Sequence, residues 1–382
     1  MSHCLTQSQL AGSVTGDLTD SQQSLVEHHL SVCTHCQDRL MQWVGGSEFE
    51  HDATILRNRD PLIESSQRLS QVKSDLLQSR FLVIGTSHSV QDPSDSSGTP
   101  GLSKKLKPSE RSGTLGRFGS FEVLRLLGSG GMGAVYEATS SEYPQPIAIK
   151  VLLPHASRDK QSRARFLREA KHLSVIDHEN VVRILAAHEI EKTPCIVMER
   201  VLGRSLQLTI DQDGSPLNGE SLQRIALQTA KALLAAHERG ILHRDVKPAN
   251  IMLEDGTGRI RLTDFGLAKA MHDVGLTASN AVPGTPEYMS PEQLIGNQVD
   301  FRSDLFSLGT SLYFAATSRN PFSDNNLLQV FRNVASLEPA SLHEVAPKLN
   351  PSLSALVMKL MQKEIDKRPA SAAELLNDLM SI

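Results

Sequence analysis

Leu127, Gly128, Ser129, Gly130, Gly131, Gly133 and Val135 form a Gly-x-Gly-x-x-Gly-x-Val run. Glycines at this spacing let backbone amides approach phosphate oxygens with no β-carbon in the way. Alone the run is ambiguous, because dinucleotide-binding turns and ordinary glycine turns use the same letters. The dinucleotide version must open a helix, whereas residues 134–138 read as a strand, so a hairpin is the predicted setting. Seventeen residues past Gly133, the apolar run Ile147-Ala148-Ile149 ends on Lys150. A lysine there is ordinarily a surface residue whose amine reaches water. Glu169, in a charged helical pattern downstream, is placed to pair with it and hold it on nucleotide phosphates. Three further strings follow in order: His243-Arg244-Asp245-Val246-Lys247-Pro248-Ala249-Asn250, Asp264-Phe265-Gly266, and Ser290-Pro291-Glu292.

A second constellation lies near the amino terminus. His29 and Cys33 are one helical turn apart, so both can face one metal ion. Cys36 returns from the following turn, and Cys4 can complete a tetrahedral Zn²⁺ site. A reduced Cys-x-x-Cys pair without metal, or a redox-active pair, would use the same letters. His28 and His35 are close enough to be confused with the ligands, and Cys195, inside an apolar run, reads as a buried core thiol.

The joint order of these strings resembles the eukaryotic-like (Hanks-type) Ser/Thr protein kinases in the version common in bacteria, over about residues 121–382. The resemblance implies that Lys150 holds the α and β phosphates of ATP and is oriented by Glu169. It implies that Asp264 and Asn250 bind Mg²⁺ (or Mn²⁺), and that Asp245 accepts or orients the proton of the attacking hydroxyl, with Lys247 near the transferred group. A lysine two residues after the aspartate is the Ser/Thr pattern. Val135, Ala148 and Met252 would sandwich adenine, the backbone near Glu199 and Val201 would hydrogen-bond it, and Met198 would gate the back of that pocket. Asp304 would brace the catalytic loop, and Glu292 with Arg368 would form a buried ion pair. Thr277 and Ser279 lie where relatives autophosphorylate, opposite a pocket implied by Arg244, while Thr285 would bond Asp245 and Lys247. Departures are few: Ile147 stands for Val, Arg200 for an aromatic hinge residue, and Ala249 supplies no carboxylate for a basic substrate residue. The first 40 or so residues resemble the zinc-binding anti-sigma fold, which implies a regulatory protein partner.

These side chains need a scaffold that brings strands and helices to one cleft. Strand-like runs at 121–127, 134–138 and 146–152 give way to helical patterns at 222–239 and 303–317, so an α+β bilobal kinase fold is expected, with a β-rich amino-terminal lobe and a helical carboxy-terminal lobe. It would be preceded by a small helical zinc-binding module (1–45), a helical connector (46–84) and a flexible linker (85–117), with the catalytic domain over 118–382. The linker reading rests on composition: 19 of the 32 residues at 85–116 are Ser, Thr, Gly or Pro. Four cysteines in 382 residues are too few for a disulfide scaffold, and three fall within the first 36. Lys+Arg 39 against Asp+Glu 43 gives a net charge of −4, which argues against a chain built to coat nucleic acid or an anionic membrane. The longest uncharged apolar candidate, 305–318, is broken by Gly309 and by several Ser and Thr and is too short to span a bilayer. With neither a leader nor an anchor legible, a cytoplasmic location is expected.

Overall fold

Strict alternation along the strands builds the smaller lobe. β1 (Gly116–Phe118), β2 (Phe121–Ser129), β3 (Gly133–Ser140), β4 (Tyr143–Leu152), β5 (Ile184–Ile190) and β6 (Thr193–Glu199) form one antiparallel sheet in the order β1-β2-β3-β4-β6-β5. Successive strand residues face opposite sides. Ile147, Ile149 and Val151 therefore enter an outer cluster with Phe118, Phe121, Tyr136 and Val197. Ala148 and Leu152 enter the inner core with Phe166, Met198 and the larger lobe. Lys150 lies between those two, on the inner side of β4. Helix α1 (Lys160–Leu173) packs against β5 and β6 through Phe166 and Ala170.

The computed structural model describes residues 4–6, 9, 22, 25–26, 29, 33, 36, 100–102, 105–130, 133–154, 156, 160–265, 285–294 and 299–382. Beyond β6 the chain forms β7 (Gly203–Ser205), α2 (Leu206–Asp213), α3 (Gly219–His237), β8 (Ile251–Glu254) and β9 (Ile260–Leu262), with β7-β8-β9 as a small second sheet. Then come α4 (Pro291–Leu294), α5 (Phe301–Thr317), α6 (Leu327–Ser336), α7 (Leu342–Val345), α8 (Pro351–Leu360) and α9 (Ala372–Met380). Side-chain caps start most of them: Asn218 accepts from Ser221 N at 2.9 Å for α3, and Asp300 from Arg302 N at 2.8 Å for α5.

α5 is buried along nearly its whole circumference, as expected of the axial helix of a helical lobe. Its interior hydroxyls are satisfied within the helix: Ser307 donates to Ser303 O at 3.1 Å, and Ser311 to Ser307 O at 2.8 Å. This accounts for the uncharged stretch at 305–318 as protein core. Among the described residues no helix is long and apolar enough to cross a membrane.

One boundary moves. The expected flexible linker 85–117 is correct in composition, yet residues 100–102 and 105–117 have defined places on the small lobe, with Leu102 only 1 % exposed. A single leucine among serines and glycines leaves no periodic signal, so composition hides its tertiary role. Residues 85–99 and the connector 46–84 lie outside the described residues. In the amino-terminal segment, residues 22, 25–26, 29 and 36 are helical, and Leu5, Val26 and Cys36 are buried.

Candidate active site

The glycine run forms the β2–β3 hairpin, with Gly128 opposite Val135, Ser129 opposite Ala134, and Gly130 N donating to Gly133 O at 2.9 Å. A hairpin, not a strand-to-helix turn, is thus the observed setting; Gly131 lies outside the described residues. At Gly133 a β-carbon would sit 2.8 Å from the Val151 carbonyl oxygen, so only glycine lets β3 approach β4 this closely. Register then places Val135 opposite Lys150, and Ala148 opposite Met198. Ala148 and Met198 are buried, while Val135, Leu127 and Met252 pack against the same core and are partly open.

Lys150 reaches across the lobes to Asp264, with Nζ to Oδ1 at 2.7 Å. Burial pushes the Asp264 carboxyl up, but the charge and hydrogen bond of Lys150, aided by Lys247 and His243, leave it below its ordinary value. Glu169 is half-buried on α1, and among the described residues it forms no ion pair with Lys150. The expected Lys150–Glu169 ion pair is not among those of the described residues, where the amine meets Asp264 instead.

The loop after α3 carries the second charged pair. Lys247 Nζ lies 2.9 Å from Asp245 Oδ2. Asn250, 5 % exposed in a short 3₁₀ turn, donates to Asp245 O at 2.8 Å and to Asp245 Oδ2 at 3.0 Å. Asp304 at the start of α5 holds this loop by its backbone, accepting from His243 N at 2.8 Å and Arg244 N at 2.7 Å, and it meets His237 Nε2 at 2.9 Å. Arg244 has φ 64°, a conformation that non-glycine residues rarely adopt, so these bonds support a strained residue.

His243 is fully buried and packs at a tilt against Phe265, with ring centroids 4.3 Å apart. Asp245 N donates to His243 Nδ1 at 3.3 Å, so the proton sits on Nε2, which donates to Thr263 O at 2.9 Å. Burial lowers the His243 pKa, consistent with that neutral tautomer. His243 thus ties the Asp245 loop to the strand end that carries Asp264.

At the connection between the lobes, Glu199 is held by both. Arg183 N donates to its Oε1 at 2.7 Å, and the Arg261 guanidinium from β9 pairs with the same oxygen. Arg200 donates to the Val201 carbonyl and lies 3.6 Å from Glu137. Arg261 escaped sequence reading because nothing in a short strand marks a basic residue as an interlobe clasp. Thr285, expected to bond Asp245 and Lys247, makes no such bond among the described residues; its carbonyl accepts from Tyr288 N at 3.0 Å. Thr277 and Ser279 lie outside the described residues.

Below the cleft, Arg368 grips Glu292 through two parallel bonds of 2.7 and 3.0 Å. Ser303 adds a 2.5 Å bond to Glu292 Oε1, and Arg368 Nε donates to Gln362 O at 2.7 Å.

The protein kinase domain family matches residues 121–380. The chain belongs to the protein kinase family. This kinase domain is similar to serine/threonine-protein kinase pkn2 of Myxococcus xanthus (40 % identical over 268 residues, 68 % of this chain and 32 % of that protein). It is also similar to serine/threonine-protein kinase PknB of Mycobacterium leprae, at 36 % identity over 69 % of this chain and 43 % of that protein. The chain thus spans about two fifths or less of the length of these relatives. Among solved structures, the PknI kinase domain of Mycobacterium tuberculosis superposes with a TM-score of 0.57 at 28 % identity, covering 72 % of this chain and 99 % of that one. The bilobal kinase fold is therefore established for residues 121–380.

The amino-terminal cluster is separate chemistry. The ligand atoms of Cys4, His29, Cys33 and Cys36 all lie within 4.8 Å of one another. Leu5 N donates to Cys36 Sγ at 3.2 Å, and Cys33 N donates to His29 O at 2.9 Å within the helical turn. His29 Nε2 is buried with no hydrogen-bond partner. A buried imidazole nitrogen left without a partner is costly unless a metal takes its lone pair.

Proposed function

We propose that the chain is an ATP-dependent protein serine/threonine kinase that acts in bacterial signalling and phosphorylates itself. The observation that carries this reading is the convergence of Lys150, Asp264, Asp245, Lys247 and Asn250 on one cleft beneath a glycine hairpin. Phosphoryl transfer needs positioning and charge compensation rather than covalent chemistry, and these residues supply both. The backbone of 128–133 and Lys150 would hold the phosphates, while Val135, Ala148 and Met252 enclose adenine and the backbone at Glu199 and Val201 meets its edge. Asp264 and Asn250 would hold Mg²⁺ (or Mn²⁺): both offer hard oxygen donors, which suit that ion. When bound, the metal supplies charge neutralisation on the phosphates. Asp245 would take or orient the proton of the acceptor Ser or Thr hydroxyl, and Lys247 beside it would stabilise charge on the moving phosphoryl group.

Glu169 is assigned the orienting role for Lys150 in the nucleotide-bound enzyme, and Thr277 and Ser279 are assigned as autophosphorylation sites. Cys4, His29, Cys33 and Cys36 would hold Zn²⁺, since three thiolates with one imidazole are a tetrahedral structural zinc set and the unpartnered His29 Nε2 fits. That module is assigned an anti-sigma-like role in binding a regulatory protein, and the location is proposed to be cytoplasmic.

Incubation with labelled ATP and Mg²⁺ tests the activity. Transfer to Ser or Thr by wild type that disappears in Asp245→Asn is expected; equal incorporation by both would remove the role given to Asp245. Mapping the phosphorylated residues in the same reaction checks 277 and 279. Metal analysis of the full chain under reducing conditions should find one Zn²⁺, lost on Cys33→Ser with Cys36→Ser.

A further inference from the structure

The outer face of the small-lobe sheet is closed by chain that precedes the family match at 121. Leu102 is 1 % exposed and sits in the outer cluster with Phe118, Phe121, Tyr136, Ile149 and Val151. Polar contacts fasten the segment on both sides of it. Tyr136 Oη donates to Pro100 O at 2.7 Å, and Lys107 and Arg117 exchange two backbone hydrogen bonds of 2.8 Å each. Lys107 Nζ pairs with Glu191 at 3.0 Å, and Lys105 donates to the Thr193 hydroxyl. The amides of Lys105 and Leu106 return to Leu102 O at 2.8 and 3.1 Å, so the chain turns tightly around the buried leucine. Gly101, at φ 76°, lies so close to the end of β4 that a β-carbon there would be 3.4 Å from both Leu152 O and Leu153 Cδ2.

The position of these contacts gives them a consequence for chemistry. Ile149 and Val151 face the Leu102 side of the sheet, and Lys150 between them points the other way, to Asp264. The next element after β4 is α1, which carries Glu169. We infer that residues 100–102 and 105–107 are a positioning strap of the nucleotide lobe: by filling the outer face behind β4 they set where Lys150 stands. The catalytic unit then starts at about residue 100, and the chain that bears the Cys/His cluster joins it directly behind the nucleotide lysine. Closely packed cores transmit a lost side chain as a shift of their neighbours, and displacement of about 1 Å in a reacting group costs on the order of 10²-fold in rate.

This inference rests on the kinase reading, and one set of full-length variants separates the two. Leu102→Ala and Leu379→Ala remove equally buried leucines, the second from α9 in the large lobe. Each should lower the melting temperature by roughly 5–10 °C. At 20 °C, where both are folded, only Leu102→Ala should raise KM for ATP and lower kcat, with kcat/KM falling about tenfold or more. It should also speed amide exchange at residues 148–152, and the volume-conserving Leu102→Met should restore both readouts. Wild-type kcat, KM and exchange in Leu102→Ala would overturn the strap, leaving the segment a mere stabiliser. Should wild type transfer no phosphate, the kinase reading fails, and the exchange rates at 148–152 still decide the strap.

Discussion

Replacing Asp304 by Asn changes one atom and tests whether the catalytic loop is held from behind. Asp304 is 1 % exposed, and its two oxygens receive the amides of His243 and Arg244 at 2.8 and 2.7 Å, with His237 Nε2 at 2.9 Å. In Asp304→Asn one oxygen becomes an NH₂ group. The best compromise points the remaining oxygen at His243 N and His237, which sets the new NH₂ against the Arg244 N–H. One bond to a charged acceptor, worth about 1.5–3 kcal/mol, is lost, and a buried donor is stranded. Arg244, already at φ 64°, loses the bond that supports its backbone. A stability loss of about 3 kcal/mol follows, a fall of roughly 6–12 °C in melting temperature for a domain of this size. Asp245 is the next residue, so kcat should drop by about 10²-fold at a temperature where the variant is folded. Thermal unfolding and steady-state phosphorylation at saturating ATP measure the two effects. A variant that melts with wild type, or that loses stability yet keeps wild-type kcat, would refute the argument that Asp304 fixes Asp245.

The Glu292–Arg368 pair should behave as structure rather than chemistry. Arg368→Met strands a buried carboxylate and is expected to cost about 3–5 kcal/mol with kcat unchanged in the folded fraction, as urea unfolding and activity assays would show. Acid should weaken the domain in two windows. His243 has a lowered folded pKa, so the unfolded chain binds the extra proton first, and stability falls as pH drops below about 6.5, the ordinary histidine value. Asp264 and Glu292 are also lowered, which adds stability present above the ordinary carboxylate range and lost as pH falls through and below about 4. Melting curves from pH 8 to 3 test this, and His243→Asn should narrow the upper window, which His178, likewise lowered by burial, shares, and leave the lower one in place.

What could be read from the sequence was what local order encodes. The glycine hairpin, Lys150 at a strand end, and Asp245 with Asn250 five residues on all sit where neighbouring residues dictate their geometry, so strings alone located them. Partners chosen across the fold were less legible. Lys150 meets Asp264, 114 residues away, rather than Glu169, because the choice depends on how two lobes and a helix stand relative to one another. Arg261 on Glu199 and Leu102 behind β4 gave no signal for the same reason: each is a single residue whose effect exists only in the tertiary contact. Thr285 shows the converse hazard, where a familiar string suggested a hydrogen bond that this arrangement of the chain does not make.

The way the cleft balances its charges explains how so many ionised groups share it. Lys150 neutralises Asp264 at 2.7 Å and Lys247 neutralises Asp245 at 2.9 Å, so each cation of the machinery is matched to one anion. Parting either half-buried pair leaves a charge without its counterion, which makes opening the pairs singly unfavourable. A ligand that brings negative phosphates together with a divalent cation permits exchange instead. In the roles proposed above, Lys150 would turn to the phosphates while Asp264 took the cation, and no group would be left uncompensated. Phosphate without metal, or metal without phosphate, would satisfy only one partner and strand the other. With the roles proposed above, the observed pairing would favour the metal–nucleotide complex over either component, through the chain's own electrostatics. Freed from Asp264, the amine of Lys150 would also become available to Glu169, which ties the position of α1 to occupancy of the cleft.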